Sequence, residues 1–135
     1  MKILNKKEFL QGGSIPMELV PTPEIEADSG IYIKGMDGTS RDDFEASIVQ
    51  TRGKDTTVNM TNIRAKLVSK SACDESGKLL FTQADVVEIG KKSAILLQRL
   101  FTVAQRLSGI GDNDVKELAE ALEENPLEDS ASDSP

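Results

Sequence analysis

The sequence predicts an α+β fold, mainly helical: a short N-terminal β-hairpin or extended segment, about four to five helices, and a disordered acidic C-terminal tail. Three observations predict it. Pro16, Pro21 and Pro23 punctuate a stretch of alternating apolar and polar residues, which favours extended backbone over helix. Apolar residues between Val86 and Leu107 recur at three- and four-residue steps, the period of a helix. Acids crowd the C-terminus: residues 110–135 carry net charge −8, against +1 for the preceding 109 residues. The resulting division is an N-terminal arm over 1–15, one α+β domain over 16–124 and an acidic tail over 125–135. A chain of 135 residues buries roughly two-thirds of its unfolded surface, enough for one independent core.

In chain order, Ile25 and Ala27, then Ile31 and Ile33, alternate with polar residues around "DSG", a hairpin pattern in which Gly30 supplies a positive φ. "GTSRDDFEASIVQTRG" follows as a helix, with Ser40 as N-cap, Asp43 answering it in a capping box, and Gly53 as its end. Phe44 and Ile48, four apart, share its buried face. "RGKDTTVNM" reads as a polar loop. Met60, Ile63 and Leu67 then stand at helical spacing, with "LVSKSAC" readable as the helix end or as a strand. "DESG" is a type I turn with Asp74 first and Gly77 fourth. Thr82 with Asp85 caps the main helix, which Gly90 either bends or divides, and Gly109 stops it. A last helix is capped by Asp112, carries Val115, Leu118, Ala119 and Leu122 on one face, and ends at Pro126.

Composition narrows the function. An acidic chain without a basic face is a poor match to nucleic acid, whose phosphates are bound by displacing counterions. No apolar run reaches the ~18 residues of a membrane span, and the lysine-bearing start lacks a secretion signal's apolar core. The single cysteine, Cys73, fits a reducing cytoplasm. Neither "DGTSRDDFEASI" nor "DESGKLLFTQAD" is a calcium loop: Arg41 and Lys78 stand where an oxygen ligand belongs. With no histidine and no lysine in a recognisable pairing, no base is visible to activate a nucleophile. The expectation is a non-enzyme with no metal and no cofactor.

What remains is apolar surplus. Ile95, Leu96 and Leu97 are consecutive, and with Leu100 and Phe101 they project around most of one helix. Such a helix is central to the fold, or it lends a face to another chain. The candidate partner-binding residues are therefore Val86, Ile89, Leu96, Leu97, Leu100 and Phe101, helped by Phe44 and Ile48. The surplus also permits self-association.

The segments "PMELVPTPE", "GIYIKGMDGTSRDDFEASIV" and "IRAKLVSKSACDESGKLLFTQADVVEIGKKSAILLQRLFTVAQRLSGIGDNDVKEL" occur in an order that resembles the tail assembly chaperones of long-tailed double-stranded DNA bacteriophages and their prophages. The resemblance spans roughly Val20 to Leu122 and rests on order and spacing, since none of the segments is a catalytic motif. It departs where relatives carry a Trp-Gly-like pair; this chain has "TPEIEADSG". The resemblance implies a protein that binds the long, helical tape-measure protein and keeps it soluble. It also implies help in recruiting tail-tube subunits through a longer, frameshifted form, work in the host bacterial cytoplasm, and absence from the mature virion. The chain would then be the short form. The alternative is a small structural tail or neck component retained in the virion.

Overall fold

The computed structural model describes residues 1–52, 55–58 and 62–110, with backbone alone over 50–52 and 55–58. A short helix, α1 (Lys6–Gln11), precedes the first strand. Strands β1 (Met17–Pro21) and β2 (Gly30–Lys34) pair antiparallel, with Leu19 opposite Tyr32. Helix α2 (Gly38–Ser47) leads into a second hairpin, β3 (Val49–Arg52) and β4 (Asp55–Val58). Helix α3 (Ile63–Ser69) feeds a two-residue strand, β5 (Ala72–Cys73), which pairs antiparallel with β2. The first sheet therefore has the order β1-β2-β5. A 3₁₀ turn (Gln83–Asp85) opens α4 (Val86–Gly90), and α5 (Ala94–Leu107) follows.

This architecture overturns the expected mainly helical chain with β structure confined to its N-terminus. It is an α+β fold in which strands and helices alternate. The described residues hold five α-helices, a three-stranded antiparallel sheet and a separate two-stranded hairpin. One physical reason lies in "VQTR" and "DTTV", read beforehand as helix end and loop. Their Val and Thr residues are β-branched and stiff at χ1, which suits a pleated strand. The other is the early end of α3: Lys70 and Ser71 close a tight turn onto Leu67 and Val68, freeing Ala72–Cys73 to join β2.

Local signals shift the boundaries. The cap of α2 is Asp37, whose carboxylate accepts from the Ser40 N–H at 2.7 Å, so Ser40 lies inside the helix. The β1–β2 connection is longer than a tight turn. Its positive φ is at Asp28, and Ile25 and Ala27 lie in the loop. The Thr22 N–H donates to the Ser29 carbonyl and their hydroxyls meet at 2.7 Å, which pins the loop's base. Asp74 does close its turn: the Gly77 N–H donates to its carbonyl, and its carboxylate accepts from the N–H groups of Ser76 and Lys78. The expected helix capped by Asp112 and the acidic tail lie outside the described residues.

One face of the three-stranded sheet supplies Val20, Ile33 and Ala72 to the core. Helix α5 packs against it, and α3 packs on α5 and also touches α4. Phe44 from α2, Ile48 at its C-cap, and Leu67 and Val68 from α3 join the buried cluster. Gly35, just after β2, lies so close to α5 that a Cβ there would collide with the Leu107 carbonyl. Among the described residues no helix is long and apolar enough to cross a membrane.

Candidate partner-binding surface

The α4–α5 region is built from two adjoining helix starts. Thr82 and Asp85 form a capping box, with the Asp85 carboxylate accepting from the Thr82 N–H at 2.8 Å. After Gly90 the helix ends, and Ser93 caps α5 by accepting from the Leu96 N–H at 3.3 Å. A side chain at Gly90 would press on the Asn62 side chain, so the glycine lets α4 sit close to the start of α3. At the far end, the Ile110 N–H donates to the Gln105 carbonyl and the Gly109 N–H to the Arg106 carbonyl. With Gly109 at φ +72°, this is a Schellman cap, and Ile110 tucks back into the core.

Most of the residues picked from sequence as partner contacts turn inward. Phe44 and Ile48 are 0% exposed, and Val86, Ile89, Leu96, Leu97 and Leu100 are between 3% and 7% exposed. Phe101 is half-buried beneath the Arg64 guanidinium, 5.6 Å from the ring centroid. Four of them nevertheless meet at one place. Ile89, Leu96, Leu97 and Leu100 floor an apolar cleft of about 210 Å³, walled by Ile25, Ile31 and Phe81 and rimmed by Asp85, Glu88 and Lys92. Phe44 and Ile48 are not part of it.

The wall nearest β1 belongs to the β1–β2 loop, which sequence reasoning missed. Glu24 holds the loop against α5 through a bidentate pair with Arg99, at 2.7 and 2.8 Å, and Arg99 also donates to the Pro21 carbonyl at 3.0 Å. The guanidinium holds the Glu24 carboxyl down to about 2, far below the usual carboxylate range. Beside this clamp Ile25 stands 58% exposed at the mouth of the cleft. On the outer side of the same helices, Val87 and Ile95 are also exposed. Glu24 and Arg99 are 75 residues apart, so no local pattern announces their pair.

Other polar groups are used structurally. Asp37 and Asp74, which begin the two stretches resembling calcium loops, are a helix cap and a turn acceptor, and their hydrogen bonds hold both carboxyls below their ordinary value. Cys73 is buried beside the Met17 sulfur at 3.5 Å, and burial pushes its thiol up, away from the reactive thiolate. The cleft's lining is mainly apolar, with two acids, Asp85 and Glu88, and one base, Lys92, beside it.

Compared with solved structures, the chain is similar to the bacteriophage HK97 tail assembly chaperone, with a TM-score of 0.53 and 14% identity, over 78% of this chain and 95% of that one. The chain shares the fold of a phage tail assembly chaperone. No family model matches the sequence, and a comparison with curated proteins gave no match. On this chaperone fold the cleft lies between the β1–β2 loop and the α4–α5 pair, and helical packing alone does not fill it.

Proposed function

We propose that the chain is a phage tail assembly chaperone that binds and solubilises a tape-measure protein, acting through the cleft between the β1–β2 loop and α4–α5. The observation that carries this reading is the apolar cleft itself, open at Ile25 and set on a chaperone fold. Apolar burial is non-directional, worth roughly 25 cal/mol per Å², and suits a client that presents many similar helical faces. The same reading includes help in recruiting tail-tube subunits through a longer frameshifted form. It also includes work in the host cytoplasm, absence from the finished virion and no catalytic step.

The test uses exposed positions, so that folding and binding separate. Ile25→Asp and Ile95→Asp variants are co-expressed with the tape-measure protein, and their fold is checked by circular dichroism. The expected result is folded variants that leave the client insoluble, most severely for Ile25→Asp. If the folded Ile25→Asp variant holds the client in solution as well as the parent does, the cleft is not the client site. Mass spectrometry of purified virions tests the wider reading, since a chaperone is absent from the particle.

A further inference from the structure

A second cavity adjoins the apolar cleft and differs from it in chemistry. It measures about 440 Å³ and lies where the start of α3 meets the break between α4 and α5, lined by Asn62, Arg64, Gly90, Lys92, Ala94 and Gln98 among others. Lys92 and Leu97 line both cavities, so the two share a wall. Among the described residues, its charged lining is Arg64 and Lys92, both exposed, with no acid. In a chain of net charge −7, two cations in one cavity stand out. Glu88, the acid nearest to Lys92 in sequence, lines the apolar cleft instead and pairs with Lys91 at 3.5 Å.

Arg64 is exposed and yet held in place. Its Nε donates to the Gln98 Oε1 at 2.7 Å, and the Gln98 amide donates on to the Thr102 hydroxyl at 3.1 Å. The guanidinium also lies over the Phe101 ring, 5.6 Å from its centroid. A side chain fixed beforehand loses less freedom when it binds. This arrangement occupies Nε and leaves both terminal nitrogens without a partner among the described residues. Those two nitrogens form one edge of a planar fork that matches the two oxygens of a carboxylate.

We infer that this cavity binds a carboxylate side chain of the client. The segment held is then an apolar residue in the cleft, with an aspartate or glutamate three or four positions along the same helix. Residues at that spacing have Cβ atoms about 5–6 Å apart on one helix face, which suits two cavities with a common wall. Arg64 grips the carboxylate and Lys92 adds a second positive charge beside it. The inference rests on the reading of the cleft as the client site and adds the client's chemistry to it. Apolar burial alone has no direction, whereas a charge at a fixed offset sets which way the client helix runs.

Peptide binding tests it. Two helical peptides of four linked repeats each present leucine as the apolar residue; one carries glutamate four positions after every leucine, the other glutamine. Linking the repeats lets weak single contacts sum to a measurable affinity. At low salt the parent protein is expected to bind the glutamate peptide about fivefold tighter or more, since one well-formed surface ion pair contributes up to about that factor. The ratio should shrink as salt rises. Lys92→Gln and Arg64→Gln, with the fold checked by circular dichroism, should bring the ratio to about one, and Lys92→Arg should keep it. Lys92→Glu should turn the preference towards a peptide with lysine in place of glutamate, a reversal that a purely structural Lys92 does not produce. Equal affinity of the parent for the glutamate and glutamine peptides overturns the inference and leaves the cleft standing. A parent that binds neither peptide removes the cleft reading and this inference with it. Self-association without peptide that Lys92→Glu abolishes gives the cavity to an acid of a second copy, and overturns it as well.

Discussion

Phe44→Ala separates a core role from a binding role, because sequence alone gave Phe44 both. Its side chain is 0% exposed and packs with the buried cluster that includes Ile48 and Leu67. Truncating a buried phenylalanine removes its transfer energy and leaves a cavity, together about 3–5 kcal/mol. Domains of this size are stable by only about 5–15 kcal/mol, so the loss is roughly a fifth of the total or more. At ~4–8 °C per kcal/mol for a domain near 100 residues, the melting temperature falls by at least about 12 °C. Urea unfolding at 25 °C and a thermal melt followed by circular dichroism give the two numbers. Client solubilisation, measured well below the lowered melting temperature, is expected to be normal. Ile25→Asp should show the reverse: stability within about 0.5 kcal/mol of the parent, as for most surface changes, and client holding lost. A Phe44→Ala protein that loses less than about 1 kcal/mol yet fails to hold the client would refute the reasoning, because a core side chain acts on binding only through folding.

Gly35→Ala drives a methyl into the Leu107 carbonyl and is expected to cost at least the about 1–3 kcal/mol of ordinary overpacking, read from the urea midpoint; an unchanged midpoint contradicts the close approach. The Glu24–Arg99 clamp carries a pH signature. A carboxyl held at about 2 rather than its usual 4.5 stabilises the fold above that usual value, and the contribution is lost as pH falls from 4.5 towards 2. The stability gap between parent and Glu24→Gln should therefore be flat near neutrality and close across that window, and a gap that widens on acidification rejects the assignment. The Ser71 hydroxyl is buried with no hydrogen-bond partner among the described residues, so Ser71→Ala should leave the stability unchanged or raise it by up to about 1 kcal/mol in urea unfolding, whereas a clear loss would reveal a partner.

Features closed by near neighbours in sequence were legible. The Thr82–Asp85 box, the Asp74 turn and the Gly109 stop each satisfy their polar groups within five residues, so residue type and spacing suffice. The β3–β4 hairpin was not, because Val49–Arg52 and Asp55–Val58 lack a continuous apolar alternation and read as a helix end and a loop. Neither was the inward turn of the α5 stripe. Consecutive Ile95, Leu96 and Leu97 tell that a helix is apolar on several sides, but which side a sheet covers depends on where β1 and β2 lie. The candidate surface was half legible for the same reason. Its floor came from helix periodicity, while its Ile25 wall depends on the long-range Glu24–Arg99 pair.

The cleft's size bears on how such a protein would hold a rod-like client. An apolar cavity of ~150 Å³ takes a benzene-sized group, so about 210 Å³ takes one aromatic or one to two aliphatic side chains. Burying one such side chain gains about 1.5–3 kcal/mol, less than the estimated 4–15 kcal/mol cost of joining two molecules. One cleft on one client knob is therefore weak. Affinity has to come from repetition, with several linked sites engaging several knobs so that each later contact forms at a raised effective concentration. Peptides carrying one, two and four copies of an apolar helical repeat distinguish the cases. The expected outcome is negligible binding to the single repeat and affinity that climbs steeply with repeat number. Tight binding to the single repeat, abolished by Ile25→Asp, would show that the cleft offers far more contact than its lining provides, and the weak-site argument would fall.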